Sequence, residues 1–166
     1  MKHLTTRQIA LSGIVAGLYA AVTILTASFA YGNVQFRLAD ALCVLVCFEP
    51  SLTIGLTLGC LIANLFSTVS ALDIFVGTAA TFIACVLTVP IRKAVLVPLP
   101  AIVTNALLIG AMLSFLYMPE ALFWKGLLAM GGSVAAGEAA VLYILGVPLY
   151  LYLRKRGLIE ELLHKK

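Results

Sequence analysis

Charge is what this chain has least of. Of its 166 residues only 11% are Asp, Glu, Lys or Arg, while 63% are hydrophobic and the mean hydropathy is +1.12. A soluble domain carries about 25% charged residues, so this chain lacks the polar surface to face water on every side. Soluble enzymes, nucleic-acid-binding modules and disordered chains are excluded together. Histidine is nearly missing: His3 and His164 lie close to the two ends, which leaves the apolar segments without an imidazole ligand or base. No His-Glu-x-x-His, no Gly-rich loop ending in Lys-Ser/Thr and no Ser-His-Asp set occurs. The four cysteines, Cys43, Cys47, Cys60 and Cys85, all sit in apolar stretches. Cys43 and Cys47 share a helix face at i,i+4, yet no His or third Cys is near them in sequence to complete a metal site, so they read as small buried hydrophobes. The expectation is no enzyme, no metal and no cofactor.

Long apolar runs take the place of charge. Prolines, glycines and charged residues divide the chain into six hydrophobic segments within one membrane-embedded domain, residues 1–166. The first runs from Gln8 to Ala30 and ends at Tyr31-Gly32-Asn33, a turn signal. Its uncharged part exceeds the roughly 7–15 residues of a secretory h-region, so it reads as a retained helix and not as a signal peptide. The second, Leu38 to Phe48, is short for a span of about 20 residues. Glu49-Pro50-Ser51 opens the third, which runs to Thr68. The fourth starts at Ser70-Ala71-Leu72-Asp73, with Ser or Asp as N-cap, and ends before Pro90. The fifth lies between Pro98–Pro100 and Pro119. The sixth extends from Phe123 to Leu153, with Gly131-Gly132, Gly137 and Pro148 as points of flexibility.

The formal net charge of +4 is a matter of topology. Lys2, Arg7, Arg92, Lys93, Arg154, Lys155, Arg156, Lys165 and Lys166 occupy the two termini and one internal loop. Cytoplasmic loops retain Lys and Arg during insertion, and six spans put all of these clusters on one side. The expected architecture is all-α, a multi-pass membrane bundle with about six transmembrane helices and both termini cytoplasmic.

The few polar residues left inside the spans are informative because each costs about 2.5–3.5 kcal/mol if ionisable and central. Glu138 lies mid-helix among small residues, in Ala135-Ala136-Gly137-Glu138-Ala139-Ala140, and is a candidate ligand contact. Asn64 and Asn105 offer donors and an acceptor suited to the edge of a heterocycle, or to stitching helices together. Asp73 suits either N-capping or binding. Gln35, Arg37 and Asp40 cluster beside Tyr31 and Phe36 in the loop after the first helix. Arg37 and Asp40, three apart, can also pair on one helical turn. Glu49, Glu160 and Glu161 read as interfacial and solvated, and Glu120 and Lys125 mark the outer end of the sixth segment.

The first helix carries two small-residue stripes, Ser12-x-x-x-Ala16-x-x-x-Ala20 and Gly13-x-x-x-Gly17-x-x-x-Ala21. Such stripes let a second helix approach closely, within the protein or from another subunit. Together with six short spans, the Ala-x-x-x-Ala helix resembles the substrate-binding S components of energy-coupling factor (ECF) transporters. Within that group the chain most resembles the QueT family. The matching stretches are Val34–Leu42, Gly59–Leu65, Leu72–Thr81, Thr104–Leu107, Gly137–Ala139 and Leu145–Leu149, in order over nearly the whole chain. One departure is Asp40, where the family is expected to carry Glu.

The resemblance implies an S-component-like bundle in a bacterial cell membrane. It implies binding of queuosine or a 7-deazaguanine precursor (preQ0, preQ1, queuine) at the outer face. Gln35, Arg37, Asp40, Asn64, Asp73, Asn105 and Glu138 would be pocket residues, with Tyr31 or Phe36 stacking on the base. It implies docking through Ser12, Ala16 and Ala20 onto a transmembrane coupling subunit driven by two ATPases, since this chain has no phosphate loop of its own. An S component for another vitamin, such as riboflavin or thiamine, and a stand-alone secondary transporter remain as alternatives.

Overall fold

The computed structural model describes residues 4–30, 36–67 and 69–156. Among these, all regular structure is helical. The α-helices are α1 (Thr6–Leu25), the single turn α2 (Ala27–Ala30), α3 (Leu52–Asn64), α4 (Leu72–Thr88), α5 (Leu99–Tyr117), α6 (Phe123–Val141) and α7 (Val147–Arg156). A 3-10 helix, Leu38–Cys47, precedes α3, and a π turn, Leu142–Gly146, joins α6 to α7. Three helical stretches are long and apolar enough to cross a bilayer by themselves, Thr6–Leu25, Ala94–Tyr117 and Glu120–Arg156. Three shorter apolar helices, Leu38–Cys47, Leu52–Asn64 and Leu72–Thr88, complete the six expected segments.

The contacts define an up-and-down order. Gln8 of α1 donates to Glu49 just after the 3-10 helix (3.2 Å), whereas Tyr19, further along α1, reaches Asp40 near its start. The 3-10 helix therefore runs back against α1, and α3 runs forward beside it. Cys60 faces Thr81 and Asn64 faces Asp73, so α4 returns along α3. Gly110 meets Gly131 and Ser114 bonds to Phe123, so α6 returns along α5. At one end the Phe48 and Tyr150 rings lie 5.1 Å apart, the Tyr150 hydroxyl donates to the Arg92 carbonyl (2.9 Å), and Arg154 reaches the same carbonyl (3.4 Å). The start of α1 and the end of α7 thus share an end with Arg92, as the basic clusters require.

Lipid gives packed helices no hydrophobic drive, so close backbone approach does the work. A Cβ on Gly55 would stand 2.4 Å from the Ser12 carbonyl oxygen, and one on Gly59 would stand 2.6 Å from that of Ala16. The Ser12–Ala16–Ala20 stripe is therefore used within the chain: Ala16 and Ala20 are buried, and Ser12 donates to the Ser51 carbonyl (3.4 Å). The second stripe is open. A Cβ on Gly13 or Gly17 meets nothing within 4 Å. Outward-facing positions are apolar and exposed, such as Leu128 at 78%, as a lipid-facing surface demands. Thr23, Thr57, Thr88 and Thr104 return their hydroxyls to carbonyls one turn back, which satisfies them without water.

Four local expectations need correction. The second segment is 3-10, not α, so Cys43 and Cys47 do not share a face: Cys43 packs with Val15, Tyr19 and Val46, and Cys47 with Val97 and Tyr150. Three residues per turn align Leu42, Leu45 and Phe48 as its partly exposed edge. The third segment stops at Asn64, short of Thr68. Glu49 is not solvated; it is buried and accepts from Gln8 Nε2 and from the Ser51 amide (3.1 Å), tying the starts of α1 and α3 together. Of the two cap candidates for α4, Ser70 is the one that serves, its Oγ accepting from the Leu72 N–H (3.2 Å) one residue before the N-cap position at Ala71, whereas the Asp73 carboxylate is engaged elsewhere. The sixth segment departs from α geometry in the π turn just before Pro148, whose ring and missing N–H disrupt a regular ladder, and stays α-helical through Gly131, Gly132 and Gly137.

The two stripes should respond oppositely to one added methyl. Gly59→Ala is expected to destabilise the detergent-purified protein by about 1–3 kcal/mol through overpacking against α1. Gly17→Ala is expected to leave stability unchanged or raise it by about 0.5–1 kcal/mol. Thermal unfolding of the two variants side by side reads the difference.

Candidate functional site

The polar side chains that the spans contain converge inside the bundle, in two linked groups. The first is built where α3 ends and α4 begins. Asn64 is the last residue of α3, and its Nδ2 donates to the Asp73 carbonyl (3.0 Å) and to Cys60 Sγ one turn back (3.4 Å). Asp73 Oδ2 accepts from Ser67 Oγ (2.7 Å) and stands 3.8 Å from Arg37 Nη2. Cys60 is the hub: its sulfur also accepts from Thr81 Oγ1 (3.1 Å) and Arg37 Nη1 (3.7 Å), and its thiol reaches the Gly77 carbonyl (3.6 Å). A Cβ on Gly77 would lie 2.7 Å from Asn64 Nδ2, so a side chain there would displace that amide.

The second group joins α1, the 3-10 helix, α5 and α6. The Tyr19 hydroxyl donates to Asp40 Oδ1. Asn105 Nδ2 donates to Glu138 Oε1 (2.8 Å) and, more loosely, to Asp40 Oδ2 (3.4 Å). Arg37 stands within electrostatic reach of Tyr19, Cys60, Asp40 and Asp73, and so links the groups.

Asp73 Oδ1, Asn105 Oδ1 and Glu138 Oε2 are buried and have no hydrogen-bond partner among the described residues. A buried polar atom left without a partner costs about 1–3 kcal/mol. Three such atoms in one cluster leave acceptor capacity that the described residues do not use.

Six of the residues marked by the sequence, Arg37, Asp40, Asn64, Asp73, Asn105 and Glu138, are together in this cluster, each no more than 3% exposed. Phe36, adjacent to Arg37, is 38% exposed. Tyr31 and Gln35 lie outside the described residues. Asp40 spends both oxygens on Tyr19 and Asn105, so its role is not confined to a helical turn shared with Arg37. Sequence reasoning missed Tyr19, Cys60, Ser67 and Thr81. A tyrosine in the middle of an apolar helix is itself a signal, since its hydroxyl must find a partner when buried. The thiol and hydroxyl contacts carry no such mark, because Cys, Ser and Thr are common in spans for packing alone.

A bundle with lipid-compatible side chains outward and a charged, hydrogen-bonded cluster within is a membrane protein organised around an internal polar site. The chain belongs to the QueT transporter family, whose model matches residues 9–155. It is similar to the queuosine precursor transporter QueT of Lactococcus lactis subsp. cremoris (strain MG1363), at 33% identity over 85 residues. That match covers 50% of this chain and 50% of the relative's length. No solved structure matches the chain.

Replacing Tyr19 by Phe removes the donor to Asp40 without changing the packing volume greatly. The expected result is a loss of about 1–3 kcal/mol in stability, read by thermal unfolding. An unchanged midpoint would show that Asp40 does not depend on the phenol.

Proposed function

We propose that this chain is the substrate-binding S component of an ECF-type ABC importer in a bacterial plasma membrane. It takes up queuosine or a 7-deazaguanine precursor (preQ0, preQ1 or queuine). The observation that carries this reading is the acceptor-rich cluster, with Glu138 Oε2 and Asn105 Oδ1 open inside a membrane bundle. A guanine-type base presents adjacent N–H and amino donors along one edge, which a carboxylate accepts as a pair of charge-assisted hydrogen bonds. Family membership and the name of the Lactococcus relative, a queuosine precursor transporter, favour the same ligand class.

Both termini are cytoplasmic in this reading, because Arg7, Arg92, Arg154, Lys155 and Arg156 gather at one end. The cluster, built around the far end of α3, then opens toward the outer face. Substrate is received there and delivered inward with ATP-driven partners: a transmembrane coupling subunit and two ATPases. The partner meets α1 where it is open. Ser12 and Ala16, with Gly13, Ile54, Gly55 and Leu58, line an apolar groove of about 250 Å³ on the surface shared by α1 and α3. Ser12 and Ala16 touch the partner from the groove floor, Gly13 and Gly17 form its approach, and Ala20 supports the helix from inside.

Calorimetric titration of the purified protein with deazaguanine bases, queuosine, riboflavin and thiamine tests the substrate. Tight binding of deazapurines alone, weakened at least about 10-fold in Glu138→Ala, is the expected outcome. Binding of riboflavin or thiamine instead would discard the substrate assignment, and uptake without the coupling partners would discard the S-component assignment. For the docking face, Gly17→Trp is expected to abolish uptake in cells carrying the coupling subunits while the purified variant still binds substrate. Normal uptake by that variant would move the interface off this face.

A further inference from the structure

We propose that the basic end of the bundle holds a second binding site, one for the headgroup phosphate of an anionic phospholipid. The site is separate from the polar cluster and holds whichever substrate the chain carries. A cavity of about 350 Å³ opens between the end of the 3-10 helix, the turn after α4, and α7, lined by Cys47, Phe48, Arg92, Tyr150 and Arg154. Its two guanidiniums come from stretches far apart in sequence, and each is tied to backbone. Arg92 Nη1 donates to the Cys47 carbonyl, and Arg154 Nη1 donates to the carbonyl of Arg92 itself (3.4 Å). The Tyr150 hydroxyl donates to that same carbonyl (2.9 Å) and holds α7 against the turn. Two like charges are thus kept over one cavity by the fold.

Neither arginine has a carboxylate partner among the described residues. Asp40, Asp73 and Glu138 are buried in the polar cluster, and Glu49, next to Phe48, is turned to Gln8 and the Ser51 amide. Lys93, Lys155 and Arg156 add positive charge around the cavity, with Arg156 stacked over the Tyr152 ring (5.7 Å). A guanidinium presents five N–H donors in a planar fork that matches two phosphate oxygens. The carbonyl bonds use one nitrogen of each arginine, so both forks keep donors for an anion. The surroundings favour a lipid over a free phosphate. Phe48 and Tyr150, with rings 5.1 Å apart, bring aromatic surface to the cavity, and aromatic rings sit at headgroup level in a bilayer. Val95, Leu96 and Leu151, close to the arginines in sequence, are exposed and offer acyl chains an apolar path. Basic pockets between membrane helices are where anionic headgroups bind.

Native mass spectrometry of the full-length protein in detergent, titrated with phosphatidylglycerol and with phosphatidylcholine of matched acyl chains, tests the site. Phosphatidylglycerol is expected to bind about 5- to 10-fold more tightly. That preference is expected to fall toward one in Arg92→Gln and in Arg154→Gln. Arg154 is exposed near the end of α7, so its replacement reads the site even if loss of the bond from Arg92 to Cys47 disturbs folding. Lys93→Gln and Lys155→Gln remove the same charge outside the cavity lining and are expected to keep most of the preference. Equal losses in all four variants would mean a diffuse positive surface and would overturn the site. Inorganic phosphate in excess is expected to leave the lipid bound; displacement would make the ligand a free phosphate and overturn the lipid assignment. A preference near one in the unaltered protein also overturns it. If the preference then rises in the double variant Glu160→Gln, Glu161→Gln, the occupant of the cavity is the chain's own acidic segment, which lies outside the described residues.

Discussion

The amide of Asn105 is where this bundle closes. Its Nδ2 donates to Glu138 on α6 and to Asp40 on the 3-10 helix, and Asp40 in turn holds Tyr19 of α1. Three elements thus meet at one nitrogen, and α1 joins them through Asp40. In a bundle surrounded by lipid, a carboxylate without a partner is among the most expensive groups to place. The helices must then arrange themselves so that these few polar atoms find one another. Arg37 extends the same constraint to α3 and α4 through Cys60 and Asp73.

Small residues make that arrangement reachable. Helices that carry polar atoms on short side chains must come close before Asn, Asp and Cys can touch. Gly55 and Gly59 let α3 lie on the backbone of α1, and Gly110 and Gly131 do the same for α5 and α6. Gly77 clears the space that Asn64 occupies. The small residues and the polar cluster belong to one design: the former set the interhelical distances that the latter requires. The face left over, Gly13 and Gly17 on α1, is also built of small residues but has no partner helix among the described residues.

Irregular backbone is used where the site needs it. Ten residues of 3-10 helix rise about 20 Å, against about 15 Å for an α-helix of that length. A short segment thereby reaches from the Asp40 level to the Arg92 end, where Arg92 Nη1 donates to the Cys47 carbonyl. The π turn after α6 opens the ladder ahead of Pro148, and Gly146 there packs on Val44 of the 3-10 helix. Neither feature shows in hydrophobic periodicity. A ten-residue apolar run fits α and 3-10 geometry alike, and a proline announces a disturbance without naming its form.

The membrane class, the six segments and most members of the buried polar cluster were legible in the sequence because they follow from cost. A chain with so little charge must live in lipid, and an ionisable residue kept in an apolar run must have a use. Glu138, Asn105, Asn64, Asp73, Asp40 and Arg37 stand out on that ground alone. Cost does not reveal partners. That Asp73 answers Arg37 instead of capping α4, that Asp40 turns to Tyr19 and Asn105, and that Glu49 is buried against Gln8 depend on distances between helices, which no local pattern encodes. The two stripes on α1 make the same point: both are built of small residues, and they were told apart only when α3 packed against one of them. Local sequence determines what a residue costs, and tertiary packing decides which neighbour offsets it.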